Sequence, residues 1–200
     1  MSRVVQLCGR APSAAMVPPD LGCARWIIGS AYHEHVGTAY TRVFDVHPVE
    51  GDVYHKGIRA LRPDAWAWYG QQDRPVYLIA AHPDVPTSVA YPRQALTRFG
   101  ARGCCAFSST IDHMMALALL EGFTEIHLCG VRLNAIEEWV TQRECLAYWI
   151  GRAEASGVVV ETDPVAALCI PEVLYGFGEP TGARRAPGAP VVVYGVPGAP

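Results

Sequence analysis

Three stretches of the sequence put chemically capable side chains where the chain must turn. Gly9-Arg10-Ala11-Pro12-Ser13 sets a small turn residue, a cation and a hydroxyl close together. Glycine lets backbone approach a ligand closely, and Pro12 precludes continued sheet pairing. Asp45-Val46-His47 separates a carboxylate from an imidazole by one residue, so in extended backbone both lie on one side. Such a pair can do acid–base work or join a metal site; its plainer role is a hydrogen bond closing a strand. Ser108-Ser109-Thr110 precedes a helix-length apolar stretch, with Asp112 in its first turn. Hydroxyls at that position cap a helix, and the free N–H groups there, at the positive end of the dipole, suit a phosphate or carboxylate.

Further candidates stand at comparable points. Ser30 follows Gly29 at the end of an apolar run, and Arg132 follows Gly130-Val131, where a guanidinium can pair with phosphate oxygens. His113, one turn into the apolar helix, either faces the phosphate site as an acid or base or is a core histidine. His127, inside an apolar strand, reads as structural. His33-Glu34-His35 lacks a third ligand at recognisable spacing, so no metal site is assigned. The seven cysteines form an odd set without a Cys-x-x-Cys pair, which fits buried reduced thiols better than a disulfide framework or zinc site.

These residues need a scaffold, and the apolar runs supply one. Arg3 to Cys8, Ala24 to Gly29, Arg42 to Val46, Val76 to Ala80, the run ending at Gly130, and Val158 to Glu161 read as strands. Asp64 to Gln72, Pro92 to Phe99, the stretch through Met114 to Leu120, and Glu137 to Ser156 read as helices. Met114 to Leu120 is apolar on every face, so that helix should be buried, and Gly122 is placed to end it in a left-handed conformation. A short strand is expected over Cys104 to Phe107 and a loop over Asp84 to Tyr91. Strands alternating with helices imply an α/β fold, a Rossmann-like, mostly parallel sheet with helices on both faces. In such sheets ligands bind beyond the carboxyl ends of the strands, where strand order reverses. That rule gathers Gly9 to Ser13, Gly29, Ser30, Asp45, His47, His82, Ser108 to Thr110 and Gly130 to Arg132 around one crevice.

Two hundred residues, half of them hydrophobic, suit one domain. Residues 1–178 form it, and residues 179–200, rich in Gly, Pro and Ala, read as a poorly ordered tail. With 16 basic and 19 acidic residues the net charge is -3, so no basic field argues for nucleic acid. No apolar run reaches the ~18 residues of a membrane span, and no signal peptide is evident, so a soluble cytoplasmic protein is expected. The first turn is neither a Walker loop nor Gly-x-Gly-x-x-Gly, which removes the strongest cues for ATP hydrolysis and for NAD-type redox.

The order Cys-Gly-Arg-Ala-Pro-Ser at 8–13, Phe-Asp-Val-His-Pro at 44–48, Phe-Ser-Ser-Thr-Ile at 107–111, Glu-Gly-Phe-Thr-Glu-Ile-His-Leu-Cys-Gly-Val at 121–131 and Gln-Arg-Glu at 142–144 resembles a group of Rossmann-like proteins common in bacteriophages. More distantly, the Gly-x-x-Pro-Ser loop and the hydroxyl-capped helix look like those of 6-hydroxymethylpterin pyrophosphokinase-like proteins and of bacterial sialyltransferases that use a nucleotide-linked sugar. The latter resemblance implies nucleotide contacts at Gly9, Arg10, Ser13, Ser108 and Ser109. The chain departs from the pattern where Arg10-Ala11 stands for Asn-Gly and where Arg132 stands for an Asp. The implied function is binding of a nucleotide or nucleotide sugar, by a phage-encoded, glycosyltransferase-like enzyme in the host cytoplasm. Its catalytic groups would be Asp45, His47 and His113. The alternatives are pyrophosphoryl transfer to a small heterocycle, for which Mg2+ would be the cofactor, and a non-catalytic module that sequesters a nucleotide.

Overall fold

The computed structural model describes residues 3–11, 14, 22–35, 37–51, 56–100, 105–133 and 141–162. Seven strands form one sheet: β1 (Val4–Cys8), β2 (Ala24–Ile28), β3 (Arg42–Phe44), β4 (Val76–Leu78), β5 (Ser88–Ala90), β6 (Glu125–Cys129) and β7 (Val159–Thr162). The α-helices are α1 (Ile58–Leu61), α2 (Pro63–Tyr69), α3 (Thr110–Leu120) and α4 (Gln142–Ala155); 3-10 segments cover Gly29–His35 and Arg93–Phe99. Every strand pair is parallel and the spatial order is β5-β4-β3-β2-β1-β6-β7. The chain builds outward from β1 to β5, then returns to place β6 on the other flank of β1. Strand order therefore reverses between β1 and β6, which is where a crevice opens in such a sheet. This is the α/β, Rossmann-like architecture the alternation of strands and helices implies.

The period-two alternation of strand side chains sorts the core into two layers. Val5, Leu7, Trp26, Phe44, Ile126 and Leu128 face one side, where they pack with Met114, Met115 and Leu117 of α3 and with Leu146 and Trp149 of α4. Cys8, Ile27, Val43, Val76, Leu78 and Cys129 face the other, against Ile58 of α1 and Ala65, Trp66 and Tyr69 of α2. Sandwiched between the sheet and α4, α3 is buried at nine of its eleven positions, as an all-round apolar sequence requires. Gly122 ends it at φ 76°, a conformation that side-chain-bearing residues adopt only at a cost.

Several local readings are corrected. Ser88–Ala90, expected within a loop, is a three-residue edge strand held by Val76 N–H to Thr87 O (3.1 Å) and Tyr91 N–H to Leu78 O (2.7 Å). Three residues are too few for periodicity to register. Cys105 to Phe107 is not a strand: the Ala106 carbonyl accepts from the Trp149 indole N–H at 2.7 Å, which ties this segment to α4 rather than to the sheet. The turn expected after Ile28 is a 3-10 segment, and α1 went unforeseen. Residues 134–140, where the last long helix was expected to begin, and the tail 179–200 lie outside the described residues. Among the described residues no helix is long and apolar enough to cross a membrane.

Candidate functional site

Gly9 and Gly130 follow the adjacent strands β1 and β6, and their loops are laced together. Gly9 N–H donates to Cys129 O at 2.8 Å and Ala11 N–H to Gly130 O at 3.0 Å. A Cβ on Gly9 would sit 2.6 Å from the Gly130 carbonyl oxygen. Gly130 has φ 65°, and a Cβ there would lie 2.5 Å from that of Ala14. Both positions therefore need glycine for close backbone approach. Three residues on, Leu133 holds φ 49°, a left-handed conformation rare for a bulky side chain. It lines the cleft that these loops frame.

That cleft has a volume of about 520 Å³ and collects residues from six points of the chain. Gly9, Arg10 and Ala11 follow β1; Ile28, Ser30 and Glu34 come from the end of β2 and the segment after it; His47 follows β3. Ser108 to Ile111 start α3, Gly130 to Leu133 follow β6, and Gln142 starts α4. The structure thus brings together Gly9, Arg10, Ser30, His47, Ser108, Ser109, Thr110 and Arg132. Asp45 lies behind His47, His113 and His82 are not among the lining residues, the latter packing its ring against Trp66, and Ser13 lies outside the described residues.

At the start of α3 the cap is Ser109, in a reciprocal capping box with Asp112. Asp112 N–H donates to Ser109 Oγ (3.4 Å), while one Asp112 oxygen accepts from Ser109 N–H (2.8 Å), Ser108 N–H (2.9 Å) and the Ser108 hydroxyl (3.2 Å). The Ser108 hydroxyl also approaches Thr141 O at 3.1 Å, which joins the starts of α3 and α4. Two of the N–H groups that could hold an anion are therefore already committed to a carboxylate. Those of Thr110 and Ile111, both at the cleft, have no intrahelical acceptor. Asp112 is fully buried and its other oxygen, Oδ1, has no hydrogen-bond partner. Burial outweighs the bonds it accepts and raises its pKa to about 6.

The Asp45–His47 pair is tied into a third group. Asp45, wholly buried, accepts from His47 Nδ1 at 2.6 Å and His47 N–H at 3.2 Å on one oxygen, and from the Tyr69 hydroxyl at 2.6 Å on the other. The strand ends at Phe44, yet the short Asp-x-His spacing still closes the contact. With Nδ1–H given to the carboxylate, Nε2 is the ring nitrogen left for the cleft, and the side chain is 57% exposed. Asp45, chiefly through this hydrogen bond, holds the His47 pKa above its ordinary value. The same burial and the Asp45 charge push the Tyr69 phenol upward. Tyr69, brought in from α2, is the partner of Asp45 that sequence reasoning missed.

His113 occupies a different setting. Its ring lies 4.3 Å from that of Phe107 and 4.9 Å from that of Tyr91, and Nδ1 is 3.0 Å from Ser109 O. Burial lowers its pKa. The residue is half-buried, does not line the cleft, and feels the charge of His47. His33 pairs with Asp64 on the surface at 3.3 Å, while His35 is buried, so the His-Glu-His run does not converge on a point. Cys8 and Cys129 are buried thiols; Cys105 is exposed.

No protein-family profile matches the chain, and no curated protein matches it. Among solved structures, the chain is similar to that of the sialyltransferase CstII from Campylobacter jejuni in complex with a substrate analogue, cytidine-5'-monophosphate. The TM-score is 0.47 and the identity 13%, over 80% of this chain and 79% of that one.

Proposed function

We propose that the cleft binds the phosphates of a nucleotide or nucleotide sugar, and that the protein is a transferase in which His47 acts as acid or base. One observation carries this reading: an open helix start, a glycine turn, two arginines and a carboxylate-backed histidine meet in a single cleft at the reversal of strand order. The volume falls within the roughly 300–1,000 Å³ of small-molecule sites. The Thr110 and Ile111 N–H groups would hold the phosphates, with Arg10 and Arg132 neutralising them. His47 Nε2 would accept the proton of an acceptor hydroxyl as that oxygen bonds to the transferred group and the group's bond to the donor phosphate breaks, the phosphate leaving with the electron pair and its charge met by the arginines and the helix start. Asp45 would orient the ring and stabilise the cation that forms, and Tyr69 would hold Asp45 in place.

Pyrophosphoryl transfer draws less support from the donor set. That chemistry needs carboxylates to hold a divalent metal, and Glu34 is the one carboxylate among the described cleft residues. Sequestration without catalysis would use the same phosphate contacts and leave the Asp45–His47–Tyr69 chain without a role. The test is a thermal-shift screen of nucleotides and nucleotide sugars, followed by titration calorimetry and an assay of donor hydrolysis. At a hundredfold excess over Kd a ligand confined to the native state adds about 2.7 kcal/mol of stability. Absence of a shift with every ligand overturns the reading; binding without turnover favours sequestration.

A further inference from the structure

Outside the cleft, one face of the sheet carries a polar row across four adjacent strands. Arg25 of β2, Gln6 of β1, His127 of β6 and Glu161 of β7 are register partners in turn, so their side chains share that face. Arg25 donates to Gln6 Oε1 at 3.0 Å. At the far end Glu125, two residues before His127 on β6 and therefore on the same face, completes a group of three. His127 Nε2 lies 2.6 Å from Glu125 Oε1 and 3.7 Å from Glu161 Oε2, and one ligand atom from each residue falls within 4.8 Å of the others.

One imidazole nitrogen stands before two carboxylates. A single Nε2–H donates to one carboxylate, and Glu125 is the nearer; Glu161 approaches the same nitrogen with no second proton to accept. Two carboxylates thus converge on one imidazole nitrogen, with Glu125 and His127 about a quarter to a third exposed and Glu161 65% exposed. A cation in place of that proton would be shared by all three groups. One imidazole nitrogen and two carboxylate oxygens suit a first-row divalent metal such as Zn2+, Co2+ or Mn2+, with a water completing the coordination.

We propose that Glu125, His127 and Glu161 form a site for a divalent transition-metal ion that clamps the edge strand β7 to β6, separate from the cleft. His127 then has a binding role in place of the structural one its apolar strand suggests. Occupancy would link folding to metal, because the ligands come from two strands that meet only in the native sheet.

The full-length protein is titrated with Zn2+, and separately with Co2+, in a non-chelating reductant at a pH above the ordinary imidazole value. The expected result is one saturable site, a raised melting temperature, and a Co2+ d–d spectrum without a thiolate charge-transfer band, which excludes the cysteines. His127→Ala should abolish this site, and Glu161→Gln, at an exposed edge position that should not disturb folding, should weaken it by about tenfold or more. His33→Ala, which removes an exposed imidazole elsewhere, should leave it unchanged. Absence of saturable binding, thiolate ligation, or equal affinity in Glu161→Gln and the unaltered protein overturns the proposal. The cleft plays no part in this measurement, so either idea can fail without the other.

Discussion

Replacing Asp112 by Asn tests the electrostatics at the start of α3. The carboxyl is fully buried, and its pKa rises from the ordinary 3.8 to about 6. A group with a higher pKa in the folded state holds its proton more tightly there. Its contribution to stability is whole below 3.8 and is lost as pH rises through about 6. At 1.36 kcal/mol per unit, the loss amounts to about 2 kcal/mol between pH 4 and pH 7, because the unfolded carboxyl is already more than half ionised at pH 4. Asn keeps an acceptor for the Ser108 and Ser109 N–H groups and carries no charge to bury. It also places a buried amide where Oδ1 has no partner, which shifts its stability by a constant at every pH. The informative quantity is therefore how the difference between Asp112→Asn and the unaltered protein changes with pH, measured by urea unfolding at steps across that range. His113, whose pKa burial lowers, loses stability in the opposite direction as pH falls, and this cancels in the difference. The variant should gain about 2 kcal/mol relative to the unaltered protein from the acid to the neutral end. A difference constant to within about 1 kcal/mol would refute the claim that burial, rather than the capping hydrogen bonds, governs Asp112.

The same carboxylate sits in the first turn of α3, one residue beyond Ile111, so its charge acts on any phosphate bound at Thr110 and Ile111. Nucleotide affinity should therefore fall as pH rises through about 6, and calorimetry should find that dependence reduced in Asp112→Asn, where the titration of the phosphate itself remains. Ser109→Ala removes the cap and should cost about 0.5–2 kcal/mol in a denaturant melt; if Ser109 also meets the ligand, affinity should drop by roughly a few-fold to tenfold. With His47 as base, kcat/KM should rise with pH through a midpoint above the ordinary imidazole value of 6.5, and Asp45→Asn should move that midpoint down; an unmoved midpoint assigns the titration to another group. Gly130→Ala should lower stability by about 1–2 kcal/mol for its positive φ alone, and by more for the clash with Ala14. Gly37→Ala, at φ 77° with nothing near its Cβ, supplies the comparison for the backbone part.

The layers of the fold were legible because they rest on local signals. Five-residue apolar runs ending at Cys8, Ile28 and Cys129 announce buried parallel strands, and the all-apolar α3 announces its own burial. The residues that end those runs were legible as cleft candidates for the same reason: the carboxyl end of a parallel strand is set by chain direction alone. Partners brought together by pairing left no such mark. Tyr69 reaches Asp45 from a helix on one layer, and Glu161 meets His127 only because β7 pairs with β6 in one register. A slip of one residue would turn Glu161 to the other face, so no reading of either strand alone reveals the pair.

At the hydroxyl turn the sequence posed a choice, a helix cap or a phosphate site, and the geometry divides it by residue. Ser109 and Asp112 satisfy each other, and Ser108 serves Asp112 and α4. Any anion must then be met by Thr110 and Ile111, against the charge of a carboxylate already seated at the same helix start. Such a site binds best when that carboxylate carries its proton. Capping and ligand binding are thus coupled through one buried group, and the double measurement on Asp112→Asn, stability and affinity against pH, examines both sides of that coupling.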